Sequence, residues 1–240
     1  MPSGSISRRA LVAGLVSTPL LAAAPLPGGL SARAWAAPMP ALQFDILRKG
    51  DTIGSHRVSA EKAADDLQID IETEIKVRVL GLTAYRYRHQ GRETWRREGD
   101  GIRLVGLETR TDDDGTKLSV EGEAEGGIFK VDGSAGPVTA PADVVPASYW
   151  SPLVLRRSEL LSAKDGDLFP IRVEQRGRET IESAGQQVAT QHAFIPGDPA
   201  VHLWFDDRQQ IRRLAFETHG EFIDYRLRRI GPFGLDDRVF

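Results

Sequence analysis

Thirteen residues, Leu67 to Val79, alternate between apolar and polar with a single interruption, and this constrains the fold more than any other stretch. Leu67, Ile69, Ile71, Ile75, Val77 and Val79 fall on one face of an extended chain, while Gln68, Asp70, Glu72, Glu74, Lys76 and Arg78 fall on the other. Side chains of a strand point alternately to opposite faces, so this segment sets one face on a core and the other in water. Antiparallel sheets have that pattern; strands of all-parallel sheets are apolar on both faces.

The same period of two runs from Ala41 to Val131. Strands are expected at Leu42–Leu47, Ile53–Glu61, Leu67–Val79, Ala84–Glu98, Ile102–Thr109, Lys117–Glu125 and Ile128–Val131. Short turns such as Lys49-Gly50-Asp51, Gly99-Asp100-Gly101 and Asp112-Asp113-Asp114-Gly115 separate them. Gly133 to Pro146 holds three prolines and many small residues and reads as an ordered crossover. Ser151 then offers an N-cap with Pro152 at the first helical position, so a short helix is expected from Pro152 to about Leu161. The β pattern returns at Leu168–Gln175, Arg178–Ser183, Gln187–Ile195, Val201–Phe205, Ile211–Thr218 and Phe222–Ile230. The expected fold is mostly all-β: a large, curved antiparallel sheet or open half-barrel of about twelve strands, with one short helix after a Pro-rich crossover. Residues 37–240 read as a single domain of two meanders (41–131 and 165–230) joined by the segment 133–162.

The first 36 residues stand apart. Arg8 and Arg9 precede an apolar stretch from Leu11 to Ala24, and Ala34-Trp35-Ala36 forms a small-x-small site with cleavage expected after Ala36. This is the form of a bacterial export signal of twin-arginine type, which implies a periplasmic protein. The stretch is broken by Pro19 and is too short to span a bilayer as a stable helix. Its removal takes away Arg8, Arg9 and Arg33 and no acid, which moves the net charge from −3 to −6. An acidic mature chain argues against nucleic acid as a partner. The chain has no cysteine, which excludes disulfides, thiolate nucleophiles and Cys-ligated metal centres.

No G-x-S-x-G elbow, Walker A loop or H-E-x-x-H helix is present, and no catalytic residue or cofactor is expected. His202, Asp206 and His219 form the nearest approach to a metal site, since His202 and Asp206 share a strand face and His219 follows on the returning strand. An ordinary hairpin explains the same residues. The acidic run Asp112–Asp114 likewise fits a hairpin tip better than a calcium loop. The aromatic pattern is more suggestive. Tyr85 and Tyr87 share a face, with Arg86 and Arg88 opposite. Tyr85, Tyr87, Trp95, Trp150, Phe194 and Trp204 are the candidate lining of an apolar pocket; Lys76, Arg78, Arg86 and Arg88 are its candidate basic rim. The leading expectation is a non-catalytic protein that binds a hydrophobic or amphiphilic small molecule at the cell envelope, without spanning the membrane. An envelope protein–protein interaction or assembly module is the alternative, and a metal protein or hydrolase the third.

Three motifs carry a resemblance: Phe44-Asp45-Ile46-Leu47-Arg48-Lys49-Gly50-Asp51-Thr52-Ile53-Gly54, Ser148-Tyr149-Trp150, and Leu203-Trp204-Phe205-Asp206 with Ile211-Arg212-Arg213-Leu214. In these the chain resembles a domain-of-unknown-function family of exported proteobacterial β-sheet proteins. Its topology is also similar to the half-barrel sheets of periplasmic lipid and lipoprotein carriers. The resemblance implies a curved sheet and supplies no catalytic residues.

Overall fold

The computed structural model describes residues 42–63, 66–99, 101–218 and 220–231. The export segment, with Arg8, Arg9 and Ala36, lies outside them. Alternating sequence becomes alternating burial: along Asp66–Val79 the inward residues run from Ile69, fully buried, to Val79, 55% exposed. Strands β1 (Leu42–Arg48), β2 (Asp51–Ala63), β3 (Asp66–Val79), β4 (Leu82–Glu98), β5 (Gly101–Asp113), β6 (Thr116–Glu125), β7 (Ile128–Gly133) and β8 (Gly136–Pro141) follow one another as an antiparallel meander. A second meander comprises β11 (Glu174–Ser183), β12 (Gln186–Ile195), β13 (Ala200–Asp206), β14 (Ile211–Thr218) and β15 (Glu221–Ile230). Pairing of β1 with β15, from Leu42 opposite Ile230 to Arg48 opposite Ile223, fuses the two into one thirteen-stranded sheet. The expected large, open antiparallel sheet is therefore present, with β11 and β8 as its edges.

A sheet of this size must coil, because each strand is twisted against the next. Bulges at Gln43/Phe44, Ile46/Leu47 and Thr94/Trp95 add bend. At one end the turn after β11 folds back on the sheet: the Ala184 amide donates to Leu227 O at 2.9 Å, and the Ser183 hydroxyl donates to Arg212 O at 3.1 Å. Inward residues from both meanders, among them Phe44, Ile69, Trp95, Phe129, Leu203 and Leu227, share one hydrophobic cluster. The sheet thus wraps around its own core, whose burial from water drives the fold.

Two details differ from the sequence-based expectation. The Pro-rich crossover contributes β8, with Pro137 and Pro141 on its length. Proline lacks the amide donor that a central strand needs, and here it occupies an edge strand, the place a sheet tolerates it. The helix is a single 3-10 turn, Pro152–Arg156, followed by β9 (Glu159–Leu161), which pairs with β10 (Leu168–Pro170). Ser151 caps it as expected, its hydroxyl accepting from the Leu153 amide. Val154 at 1% exposure fixes the turn in the core, and the Arg157 backbone is already extended. Backbone bonds secure the crossover to the sheet, including Ala135 N to Asp165 O at 2.9 Å.

Candidate functional site

The core does not fill the concave side. Where β3 and β4 run out towards their hairpin, a cleft of about 1000 Å³ opens between the sheet and the crossover. Ile71, Ile75 and Val77 of β3, Ile53 of β2, and Val201, Leu214, Phe216 and Ile223 of the second meander form an aliphatic wall. Phe169 and Ile171 of the crossover face them. A space of this size, mostly apolar with a few convergent polar groups, is the usual form of a small-molecule site.

Two buried histidines sit in its floor. His56 Nδ1 shares a 2.8 Å hydrogen bond with the Thr73 hydroxyl, and His89 Nδ1 a 2.8 Å bond with that of Thr111. Each pair bridges adjacent strands on the inward face. Burial pushes His56 down to about 3, with the nearby His89 adding to the effect, and burial alone takes His89 to about 4. Both rings are therefore neutral at pH 7. Gly91 gives His89 its room: a Cβ there would stand 3.2 Å from His89 Nε2. Phe44 and Tyr225 pack on the His56 ring, and Tyr87 stacks on His89 with 14° between planes.

One wall carries charge. The Tyr85 hydroxyl donates to Asp113 Oδ1 at 2.7 Å, and Lys164 Nζ donates to Oδ2 at 2.7 Å. The Asp113 carboxyl lies below its ordinary range; burial pushes upward as the largest single influence, but Lys164 and Tyr85 together outweigh it. Burial also pushes Tyr87 up to about 12. The phenols are therefore neutral donors, and Lys164, ion-paired with Asp113, is a cation on the cleft wall. At the opposite margin Glu221 accepts from Arg48 Nε at 3.1 Å and meets Lys49 Nζ at 2.9 Å.

Of the six aromatic residues named as candidate lining, Tyr85 and Tyr87 line the cleft. Trp95 and Trp150 lie deeper, in contact at 5.8 Å and 86°, and both indole N–H groups donate to Glu93 Oε2 at 2.8 Å. Phe194 and Trp204 are on the other face of the sheet, because inward and outward positions alternate and Ile195, Val201 and Leu203 take the inward ones. There Trp204 stacks on His192 at 4.4 Å, under the Arg213 guanidinium. Lys76, Arg78, Arg86 and Arg88 are exposed and also face outward; the cations at the cleft itself are Arg48 and Lys164. His202 joins the outward stack beside His192, their nitrogens 3.1 Å apart. Asp206 is engaged by Arg212 and by the amides of Arg208 and Gln210. His219 lies outside the described residues. Among the described residues no group of three His, Asp or Glu side chains is placed to hold a metal.

The residues that sequence reasoning missed are His56, His89, Thr73, Thr111, Asp113 and Lys164. Strand parity could have found some: His89 shares the face of Tyr85 and Tyr87. Lys164 carried no signal, since the crossover's path over the sheet is a tertiary matter.

A family profile described as "Domain of unknown function (DUF6134)" matches residues 44–228. The chain belongs to this family. A DUF6134 chain of this kind is also similar in fold to a solved structure described as a beta-barrel-like protein of domain of unknown function DUF1849 from Brucella abortus. The TM-score is 0.50 at 12% identity, covering 78% of this chain and 94% of that one. The search of curated proteins gives no match.

Proposed function

We propose that this DUF6134 protein is a non-catalytic carrier that binds an amphiphilic molecule in the concave cleft. The observation that carries the reading is the cleft itself, about 1000 Å³ of space lined by aliphatic side chains on both sides and left unfilled by a core that is otherwise continuous. The apolar tail would lie against Ile71, Ile75, Phe216 and Ile223, and the polar head would meet Tyr85 and Lys164, which Asp113 holds in place. Neutral histidines and high-pKa phenols suit binding through hydrogen bonds better than nucleophilic or acid–base chemistry. Work at the cell envelope is part of the proposal and rests on Arg8, Arg9 and the Ala34-Trp35-Ala36 site.

The test is binding of the uncharged fluorophore 1-N-phenylnaphthylamine, together with mass spectra of the native protein from its host. Wild type is expected to bind the probe and to release an organic-soluble mass on denaturation. Ile75→Trp, which fills the cleft from one wall, is expected to weaken probe binding by about tenfold or more. Absence of both probe binding and a bound mass would overturn the reading.

A further inference from the structure

The β3–β4 hairpin ends in an arrangement that conflicts with ordinary stability. Val79, Leu80, Gly81 and Leu82 form its tip, with Val79 paired to Leu82. Leu80 has φ of 51° and Gly81 φ of 82°, so both central residues adopt the left-handed conformation of a tight hairpin turn. Other tips of this sheet have the same backbone and carry Lys49-Gly50, Asp114-Gly115, Gly126-Gly127 and Ala184-Gly185. Those first positions are polar or small. At this tip a large apolar residue takes the strained position and is 99% exposed, flanked by Leu82 at 75% and Val79 at 55%.

The tip also has a charge signature. From Ile75 to Arg92 the chain contains no acid and five cations. Lys76, Arg78, Arg86 and Arg88 are exposed on the outward face just behind the tip. Arg88 meets Glu74, while the side chains of Lys76, Arg78 and Arg86 form no ion pair among the described residues. The acids of the adjacent β5–β6 tip are already engaged: Asp112 with Lys117, and Asp113 with Lys164 and Tyr85. Asp114 accepts from the Arg86 backbone amide. The hairpin is continuous with the cleft, since Val79 and Ala84 are exposed and line it.

We propose that this hairpin docks the protein on an anionic lipid bilayer, with Leu80 and Leu82 entering the interface and Lys76, Arg78 and Arg86 lying on the headgroups. An apolar tip behind a collar of cations matches the two attractions a membrane surface offers, apolar burial and the negative potential of anionic lipid. Docking in this pose brings the open margin of the cleft to the bilayer, where an amphiphile can pass between them. The inference rests on the carrier reading for its purpose but has its own readout.

The experiment is co-sedimentation of the chain from Ala37 onward, which holds all the described strands, with vesicles of phosphatidylcholine alone or mixed with phosphatidylglycerol. Wild type is expected to bind the mixed vesicles and to leave them at high salt. Arg78→Gln with Arg86→Gln is expected to lower affinity by about 25-fold, roughly fivefold for each charge near the surface. Leu80→Asn with Leu82→Ser is expected to lower it by about tenfold or more. Because asparagine tolerates the left-handed conformation, that variant should unfold at the same or a higher denaturant concentration, so misfolding cannot mimic the loss. It should also keep the solution affinity for 1-N-phenylnaphthylamine, since neither leucine lines the cleft. Wild type that fails to sediment, or tip variants that sediment as well as wild type, would overturn docking whatever the probe does. Tip-dependent sedimentation with neither probe binding nor a bound mass would uphold docking and remove the carrier. Capture of a protein through the tip with no vesicle binding would overturn the bilayer as partner.

Discussion

Replacing Glu93 with leucine should destabilise the protein strongly, whereas replacing it with glutamine should not. Glu93 is 1% exposed and accepts the indole N–H groups of Trp95 and Trp150 on one oxygen, each at 2.8 Å. Trp150 belongs to the crossover and Trp95 to β4, so this carboxyl ties the crossover to the sheet. Leucine offers no acceptor and strands two buried donors. At about 1–3 kcal/mol for each, the loss is about 2–6 kcal/mol. Glutamine keeps one acceptor oxygen for both indoles and cannot ionise. Burial raises the Glu93 pKa, only partly offset by the hydrogen bonds from the Trp150 and Trp95 indoles. A carboxyl whose pKa is raised on folding takes up a proton as the chain folds. Its stability contribution is largest below the unfolded value and is lost as pH rises through the folded one. Glu93→Gln should therefore gain on wild type as pH rises above about 4.3, the ordinary glutamate value. Urea melts across pH measure both effects. Glu93→Leu within about 1 kcal/mol of wild type would refute the account of the indole bonds. Glu93→Gln as damaging as leucine would show instead that the site needs the ionised group.

Two further outcomes are expected. His56 and His89 have pKa values lowered to about 3 and about 4, so their contribution to stability is complete above the unfolded value of about 6.5. It should be lost as pH falls from there towards 4, with a slope of up to about 1.4 kcal/mol per pH unit for each ring. In His56→Leu one proton's worth of that slope should disappear from denaturant melts; an unchanged slope would show that the ring is not buried neutral. The protein recovered from its host should begin at Ala37, which the intact mass reads directly, and an uncleaved chain would remove the basis for export.

Much of the sheet was legible because its signal is local. Alternation from Leu67 to Val79 specifies both the strand and its inward face, and a turn pair such as Lys49-Gly50 specifies the hairpin. β8 was not legible, since a proline counts against a strand unless one already knows that the strand lies at an edge. β9 and β10 are three residues each and exist only as partners of one another. The cleft was harder still. Trp95 and Tyr87 stand on the same inward face of β4, yet one is covered by Trp150 and the other opens on a void. What separates them is the path of the crossover, which no periodicity encodes. The same holds for Asp113, whose partner Lys164 comes from that segment.

The seam between β1 and β15 joins the first described strand to the last. Its pairing therefore cannot form until every described strand has left the ribosome. Until then β1 presents a bare row of amides and carbonyls, with Leu42, Phe44 and Ile46 beside it, available to any other nascent chain. Contacts of such long sequence separation also slow the search for the native state. For this protein the last described strand, ten residues long, completes the sheet at its middle, so a chain cut short before Glu221 would be left with an unsatisfied, sticky edge at its centre.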